Sequence, residues 1–330
     1  MITVKWGPRG KKTWTELNIV TCEWSGTENQ AARQLQFTLP WNPYDKGFNN
    51  KKVTLGDRVK LYDGKKLLFS GIVTSREKTA TIGTASFSAY DYMHYLLRSK
   101  VSRVFHNTTP RAVTVNLCNQ VNVKTGKLQD PKINISRVIY KEQSIYDIIV
   151  AVYRKAYLSS AGKAKIKYMP MMSGDKLSVV KKGVSCGVTL KQDADILSAT
   201  YHDTTDNMVN HVTIYNESNY KVSVQQDKKL INKYGYYMEA YTKEKGASAS
   251  QKAKNLIVGV TKEASVEAIG NVKCVAGKSL KIYDKATGIT GKFYITSDSH
   301  SFRDGVHTMK LELSQSNNME IGATEEKEDD

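Results

Sequence analysis

The sequence carries one pattern twice, and this repeat restricts the possible folds more than any other feature. Residues 56–63 and residues 277–284 share a glycine, two apolar residues flanking a lysine, a tyrosine and an aspartate, in the same order. In each copy a stretch ending in Thr-Ser follows a turn, and another alternating stretch comes after it. We therefore expect an internal duplication. The matched residues are Gly56, Tyr62 and Asp63 in the first copy and Gly277, Tyr283 and Asp284 in the second.

Apolar and polar residues alternate in two-residue steps through much of the chain, as in residues 59–62, 85–90, 212–215 and 309–313. Such alternation, rich in β-branched and aromatic residues, indicates half-buried antiparallel strands. A small β module removes its own exposed edges when it closes into a barrel. The sequence therefore predicts a mainly β fold (β-rich α+β), with two antiparallel β-barrel domains related by duplication and flanking a mixed α/β middle region.

Four helices are expected, most of them in the middle of the chain. The clearest follows Ser144, which opens a motif resembling a capping box and precedes a single apolar stripe. A second begins at Thr109-Pro110, because threonine is a favourable cap and proline a favourable first residue. The other two are expected near Asp91 and over about residues 248–258.

These elements predict four segments. A first β-barrel domain covers residues 1–100, a mixed α/β domain covers residues 101–190, and a second β-barrel domain covers residues 191–318. Six of the last eleven residues are acidic, so residues 319–330 are expected to form a flexible acidic tail.

Charge and hydropathy exclude some protein classes. The 330-residue chain has 49 Lys and Arg against 32 Asp and Glu, a net charge of +17. This excess suits an acidic partner or a polyanion, although the basic residues are scattered and form no dense block. No run of about 18 apolar residues occurs, and the start lacks the apolar core of a secretory signal. Neither a transmembrane helix nor a signal peptide is therefore expected.

The four cysteines stand far apart and form no CxxC or CxxH pair, which argues against a zinc ribbon or a redox motif. Without a secretory signal, we interpret them as reduced, mostly buried, small hydrophobic residues. They are Cys22, Cys118, Cys186 and Cys274.

Candidate catalytic and metal-binding residues are sparse, and no cofactor is expected. The nearest approach to a metal cluster has a spacing that matches no common zinc pattern. It consists of His202, Asp203, Asp206 and His211. Paired carboxylates for glycoside cleavage stay open, because their separation is set by the fold. The candidate carboxylates are Glu239, Glu244, Glu263 and Glu267.

One further stretch offers the residue types of a catalytic triad. Asp298, Ser299 and His300 are followed by His307. A triad is assembled in space, and these residues all lie in one hairpin-like stretch. A turn held by local hydrogen bonds is therefore the preferred interpretation.

Several segments resemble the hub proteins of PBSX-type prophages, which are related to the baseplate hubs of contractile phage tails and R-type bacteriocins. The opening Cys-Glu-Trp-Ser-Gly at 22–26 and the stretch at 30–39 resemble the start of this family. Residues 55–73, the helix beginning at 143–149 and residues 291–309 continue the resemblance in order along the chain.

The resemblance implies a non-enzymatic structural protein with two tube-like β-barrel domains. Such hubs are homotrimers that form a pseudo-six-fold ring. One face of the ring meets the tail tube or a tube-initiator protein, and the other carries the central spike. Wedge proteins or a LysM-bearing tail protein attach around it. The expected location is the tail baseplate of a virion or bacteriocin particle, assembled in the bacterial cytoplasm. No membrane and no specific nucleic acid are expected as partners, although DNA passes through the ring. We expect a mixed or negative channel lining.

Two other functional classes stay open. A cell-wall hydrolase or a carbohydrate-binding β protein would use the same strand-rich composition. A nucleic-acid-binding protein would use the positive charge, and residues 163–168 alternate lysines with apolar and aromatic residues. We interpret that stretch as a strand with one solvated lysine face.

Overall fold

The computed structural model describes residues 2–28, 30–159, 165–243, 249–320 and 322–323. Strands outnumber helices in this part of the chain and the large sheet is mainly antiparallel, which confirms the predicted mainly β class. The amino-terminal strands are β1 (Ile2–Gly7), β2 (Thr15–Leu17), β3 (Thr21–Thr27), β4 (Gln30–Trp41), β5 (Arg58–Asp63), β6 (Lys66–Glu77) and β7 (Gly83–Asp91).

Helices and short strands alternate in the middle of the chain. These elements are α1 (Met93–Arg98), β8 (Lys100–Thr108), α2 (Pro110–Gln120), β9 (Lys124–Leu128), β10 (Ile135–Ser144), α3 (Ile145–Ser159), β11 (Tyr168–Ser173), β12 (Lys176–Lys181) and β13 (Ser185–Lys191). Strands dominate again afterwards. They are β14 (Ile196–Thr204), β15 (His211–Tyr215), β16 (Lys221–Gln226), β17 (Met238–Thr242), β18 (Thr261–Ile269), β19 (Ser279–Tyr283), β20 (Thr290–Arg303) and β21 (Val306–Ser314), with α4 (Lys228–Tyr234) and α5 (Ala249–Leu256) among them.

The chain divides into two compact units. The first comprises Met1–Ala199 and Ser265–Asp330, and the second comprises Thr200–Ala264. The second unit begins within β14 and ends within β18. The expected domains, residues 1–100, 101–190 and 191–318, stay predictions.

One large sheet dominates the first unit. Within the described residues it contains 13 strands, in the order β14-β18-β21-β20-β3-β4-β7-β6-β5-β1-β2, with β19 paired to β20 and β13 paired to β19. The alternation seen in the sequence decides which face is buried. In β7, Ala85, Phe87 and Ala89 are buried, whereas Ser86 and Ser88 point to the other face. Phe87 stacks on Phe37 of β4, with ring centroids 5.2 Å apart.

Dipeptides containing glycine and aspartate form hairpin turns where the sequence predicts them. The turn between β20 and β21 has φ of 51° and 77° at its two central residues, which suits a tight hairpin between right-twisted strands. The three turns are Asp63-Gly64 after β5, Gly174-Asp175 after β11 and Asp304-Gly305 after β20.

The middle of the chain packs around α3. The Ser144 hydroxyl accepts a hydrogen bond from the Asp147 backbone N–H at 3.0 Å, so the predicted cap is present. Thr109 caps α2 in the same way through the Ala112 N–H at 3.2 Å. Helix α3 is buried over most of its surface and forms one hydrophobic core with residues of α1, α2 and the neighbouring strands.

The carboxy-terminal segment is packed further than expected. Met319 contacts the core around α3, and Ala323 is 8% exposed there. The Tyr146 hydroxyl donates to Glu320 at 2.6 Å, and the Ala323 N–H donates to the Asp147 carbonyl at 2.9 Å. The expected tail of residues 319–330 therefore begins inside the fold, while residues 324–330 lie outside the described residues.

Two local expectations differ from the structure. Of the expected strand at 163–168, residues 163–164 lie outside the described residues, residues 165–167 belong to no strand, and Tyr168 begins β11. The Lys167 ammonium donates to the Asn317 carbonyl. Helix α4 of the second unit was not expected. Its signals are Asp227, whose carboxylate accepts the N–H groups of the first turn, and Gly235, which ends the helix with φ of 81°.

Candidate functional site

The amino-terminal and carboxy-terminal strands of the first unit meet where β3 pairs with β20. Residues 21–27 lie opposite residues 303–297 in an antiparallel register. Strand β4 lies on the other side of β3. Three segments that carry the family resemblance, residues 22–26, 30–39 and 291–309, therefore converge at this place, which we call the strand junction.

Arg33 and Asp298 form the centre of the strand junction. Both Nη atoms of Arg33 donate to the two carboxylate oxygens of Asp298, with Nη1 2.9 Å from Oδ1. The side chain of Asp298 is 0% exposed and that of Arg33 is 14% exposed. The guanidinium also lies over the Trp24 ring, 4.1 Å from its centroid. Such a buried pair adds little net stability, but loss of one partner leaves an uncompensated charge.

Asp298 is held in its ionised form. The Ala276 N–H donates to its Oδ1 at 2.6 Å, and His300 Nε2 lies 3.3 Å from its Oδ2. Burial alone would raise the pKa of Asp298. The charge and hydrogen bonds of Arg33, together with His300, outweigh burial and lower the pKa to about 2.

Two histidines extend the strand junction toward the β20–β21 hairpin. His300 is buried and stacks on Trp24 with ring centroids 5.1 Å apart, and its Nε2 donates to the Cys274 carbonyl at 2.9 Å. Its Nδ1 lies 3.1 Å from Nε2 of His307. Burial and the neighbouring His300 lower the pKa of His307 to about 4, although Asp63 opposes the shift.

Asp91 connects the strand junction to α1. Its carboxylate accepts the backbone N–H of Arg33 at 3.2 Å and that of Met93 at 3.0 Å. Burial raises the pKa of Asp91 to about 7, in spite of these two N–H groups and the charge of Arg33. The arrangement orients strands and a helix. Asp91, Asp298 and His300 are buried, whereas His307 is half-buried and lines a surface cavity together with Phe302 and Asp304.

The duplicated residues expected from the sequence occupy matching turns. Gly56 has φ of 83° and Gly277 has φ of 86°, a conformation that favours glycine. The Gly56 N–H donates to the Val73 carbonyl at 2.8 Å, and the Gly277 N–H donates to the Ile295 carbonyl at 2.9 Å. Each copy also has the return bond, since the N–H groups of Val73 and Ile295 donate to the residue after the glycine, both at 2.8 Å.

The remaining duplicated residues agree in part. Tyr62 is the last residue but one of β5, and Tyr283 is the last residue of β19. Asp63 enters a tight hairpin. Asp284 is 3% exposed and accepts the Thr287 N–H at 2.9 Å in a longer loop.

Strand order and irregularities repeat as well. The order β3-β4-β7-β6-β5-β1 in one half of the large sheet corresponds to β14-β18-β21-β20-β19-β13 in the other. The register of β6 against β7 shifts between Val73 and Ser75, and that of β20 against β21 shifts at the matching residues, Ile295 and Ser297. One difference is that β13 pairs with β19 in parallel, whereas β1 pairs with β5 antiparallel. These features support an internal duplication.

The triad-like residues form no catalytic triad. Asp298 and His300 point to the buried side of β20, whereas Ser299 points to the other side, where its hydroxyl donates to Glu23 at 2.7 Å. The expectation of a local turn was wrong, because the segment is the interior of a long strand and its partners come from distant parts of the chain, Arg33, Ala276 and Cys274.

The other candidate residues are not gathered into a site. Among the described residues, no group of three or more His, Cys, Asp or Glu side chains could hold a metal ion, which includes His202, Asp203, Asp206 and His211. Of the candidate carboxylates, Glu244 lies outside the described residues. The other three are exposed strand residues, Glu239 on β17 and Glu263 and Glu267 on β18.

Two cysteines that are 88 residues apart in the sequence meet in the structure. The Sγ atoms of Cys186 and Cys274 are 3.8 Å apart, and both thiols are free. Cys22 and Cys118 are buried as expected, and burial raises the pKa of each thiol to about 12. No helix in the described part of the chain is long and apolar enough to span a membrane.

Comparisons with known proteins find relatives in sequence and in fold. The chain is similar to the phage-like element PBSX protein XkdQ of Bacillus subtilis (strain 168), at 26% identity over 94% of this chain and 97% of the relative. Its fold is similar to that of the 43 kDa tail protein of prophage MuSo2 from Shewanella oneidensis, with a TM-score of 0.71, 11% identity and coverage of 95% and 98%.

A third similarity is to the E. coli c3393 protein, with a TM-score of 0.53, 10% identity and coverage of 98% of this chain and 79% of that one. That protein is described as a component of the type VI secretion system with structural similarity to the T4 phage tail proteins gp27 and gp5. The YQBQ-like family model matches residues 22–314, which include the strand junction apart from Thr21. The chain therefore belongs to the YQBQ-like family.

Proposed function

We propose that this protein is the structural baseplate hub of a contractile injection tail, in which three copies form a pseudo-six-fold ring between tail tube and central spike. The observation that carries the proposal is the repeated strand order within one continuous sheet. Three chains with two such repeats each present six similar modules, which match the symmetry of a hexameric tube. The similarity to a phage-like element PBSX protein and to a prophage tail protein supports the same role.

The proposed partners follow from this position. The tail tube or a tube-initiator protein meets one face of the ring, and the spike meets the other. Wedge proteins or a LysM-bearing tail protein bind the periphery. The net charge of +17 favours acidic surfaces on these partners. The particle is a phage tail or a bacteriocin.

One face of the large sheet is suited to line the channel of such a ring. Its residues form rows across five neighbouring strands, and the central row is Thr308, Ser301, Glu23, Gln36 and Ser88. The two flanking rows are Lys310, Ser299, Ser25, Gln34 and Tyr90, and Val306, Arg303, Thr21, Thr38 and Ser86. Hydroxyl and amide groups dominate, with one acidic and two basic residues, on a chain whose net charge is +17.

Such a lining would let DNA slide through the ring without being held. Double-stranded DNA binds proteins chiefly through phosphate contacts with Lys and Arg, and a surface of neutral hydroxyl and amide groups offers few of these. The opposite face of the sheet is the hydrophobic core. We therefore assign the polar face to the channel.

The mass of the purified chain in solution tests the ring. Light scattering across a concentration series should give a mass near three chains, and negative-stain images should show rings. If the chain stays monomeric, co-purification with tail-tube protein becomes the test. A monomer that neither forms rings nor binds the tube contradicts the proposal.

Added lysines test the assignment of the channel. The triple variant Gln36→Lys, Ser88→Lys, Ser301→Lys places basic residues along the central row. Its rings should bind double-stranded DNA with an affinity that falls steeply with salt, while wild-type rings bind weakly.

The matched control carries the same added charge on the outer surface of α2, at Asn116→Lys, Asn119→Lys and Gln120→Lys, which replace exposed residues. Equal DNA affinity in the two triple variants would show that the polar face does not enclose DNA.

A further inference from the structure

Two strands that pair with each other in the large sheet have equivalents whose corresponding edges are unpaired. Strand β3 of the first half pairs with β20 of the second half. The strand equivalent to β3 is β14, and the strand equivalent to β20 is β6. Within the described residues, β14 ends the sheet, and β6 has no strand beyond Ile72 on the side of β5. The edges that pair as β3 and β20 within the chain are therefore free in the equivalent strands, β14 and β6.

The edge of β14 is long and poorly covered. It has nine residues and none of them is buried, although Leu197 is 61% exposed and apolar. Its counterpart β3 pairs with β20, and Cys22 and Trp24 of β3 are 2% and 4% exposed within the hydrophobic core. A long exposed edge with apolar side chains is a template for pairing with another chain.

The edge of β6 is equally open. Ser75, Arg76 and Glu77 pair with β7 on one side, and all three are exposed. Their counterparts in β20 are Ser297, Asp298 and Ser299, placed by the matching register shifts, and these pair with β3.

The loop before β5 does not prevent pairing at this edge. It approaches β6 where the Arg76 guanidinium donates to the Val53 carbonyl at 3.1 Å. In the other copy of the repeat, the loop before β19 approaches β20 through the Cys274 carbonyl and His300, and β20 still pairs with β3.

We propose that β14 of one copy of this chain pairs antiparallel with residues 74–77 of β6 in the next copy, and so repeats between subunits the contact that β3 makes with β20 within one. The inference rests on the proposed function, since it names the interface of the proposed ring. The contact joins two different edges, so it is head-to-tail, and such contacts close into rings when the rotation permits. Main-chain hydrogen bonds between edge strands would supply its affinity.

Charge explains why β6 accepts β14 and rejects β3 of another copy. In the strand junction, Arg33 beside β3 pairs with Asp298 of β20. The residue of β6 that matches Asp298 is Arg76. If β3 paired with β6, Arg33 would face Arg76, and like charges brought together in a desolvated contact are strongly unfavourable. The two junctions therefore cannot exchange partners.

Disulfide trapping tests the pairing directly. In the strand junction, Ser297 lies opposite Thr27, the last residue of β3, so its counterpart Ser75 should lie opposite the carboxy-terminal end of β14. Two double variants, Ser75→Cys/Asp203→Cys and Ser75→Cys/Thr204→Cys, cover two adjacent registers. On mild oxidation at high protein concentration, at least one should give linked species of two and three chains on a non-reducing gel. The matched control is Ser75→Cys/Val104→Cys, since Val104 is exposed at 49% on β8, and it should stay monomeric on the gel. Only monomers for both test pairs would overturn the proposal, because trapping captures weak encounters.

Hydrogen exchange gives a second readout that needs no new cysteine. In the three-chain particle, amides of residues 74–77 and 201–204 should exchange more slowly than in dilute monomer, by roughly tenfold or more. The variant Tyr201→Asp should lose the particle, whereas Tyr220→Asp, which lies outside the strands, should keep it, since both replace exposed tyrosines. A particle of three chains with unprotected edges would refute this interface and leave the hub intact. Linked chains that never close into rings would support the interface and contradict the hub.

Discussion

Replacing Asp298 by asparagine tests the energetic role of the strand junction. The variant keeps the shape of the side chain but removes the charge that faces Arg33, while the Arg33 side chain stays 14% exposed. Breaking a buried pair by neutralising one partner costs about 3–5 kcal/mol, since the other charge stays buried. We therefore expect Asp298→Asn to lose about this much free energy of unfolding at neutral pH. For a chain of this size, that corresponds to a fall in Tm of roughly 10 °C.

The pH dependence separates the charge from other effects of the substitution. The pKa of Asp298 is lowered to about 2 in the folded chain, against about 3.9 in an unfolded one. The ionised carboxylate thus stabilises the fold fully above pH 4, and this contribution, about 2–3 kcal/mol, is lost as pH falls from about 4 to 2. The gap between wild type and Asp298→Asn should narrow over that interval.

Two neighbours titrate at higher pH and with opposite signs. Asp91, whose pKa is raised to about 7, destabilises the fold as pH rises from about 4 to 7. His307, whose pKa is lowered to about 4, destabilises it as pH falls from about 6.5 to 4. Because both remain in the variant, their effects cancel when wild type and Asp298→Asn are compared at the same pH.

Urea unfolding followed by tryptophan fluorescence and circular dichroism measures the difference. Glu23→Gln is the matched control, because Glu23 is an exposed carboxylate on the same sheet whose partner is the Ser299 hydroxyl. It should change the free energy of unfolding by less than about 1 kcal/mol. A loss below about 1 kcal/mol in Asp298→Asn, or a loss that does not narrow below pH 4, would refute the role assigned to this pair.

Further predictions concern the matched glycines and the carboxy-terminal segment. Gly277→Val should destabilise the fold by about 2 kcal/mol or more, because φ is 86° and the new Cβ would lie 2.2 Å from the Met169 Sδ. Gly56→Val has the same backbone strain but more room, so thermal unfolding should show a smaller loss; an equal loss would contradict the crowding argument. Deleting residues 320–330 should lower Tm by several degrees, since it removes hydrogen bonds to α3, whereas deleting residues 324–330 should leave those bonds intact. Identical Tm values for the two truncations would show that the packed residues contribute nothing.

Local chemistry in the sequence predicts much of the fold. Ser144 and Thr109 begin helices in the structure because each supplies an oxygen to the free N–H groups of a first turn. Asp304-Gly305 forms a hairpin because both residues accept positive φ. The matched glycines could be predicted for the same reason, since a turn that requires positive φ favours glycine.

Contacts between distant segments were not predictable in this way. Arg33 and Asp298 are separated by 265 residues, and nothing in the sequence near either residue names the other. The same holds for Cys186 and Cys274, which are 88 residues apart. Burial was not predictable for one motif as well. Asp298 and His300 are residue types of a catalytic triad, but in the structure they are buried in the strand junction.

The place of the second unit in the chain has a consequence for symmetry. In the first half of the sheet, β3 and β4 are joined by a short turn, whereas the equivalent β14 and β18 are joined through the unit Thr200–Ala264. The two halves thus share the same strand order in the sheet but differ in the length of this connection. In a ring of three chains, six alike strand modules would carry only three such inserts, alternating with three short turns. Such a ring could present six similar strand modules to one partner and three inserts to another. The change from sixfold to threefold symmetry would then result from the length of one connection.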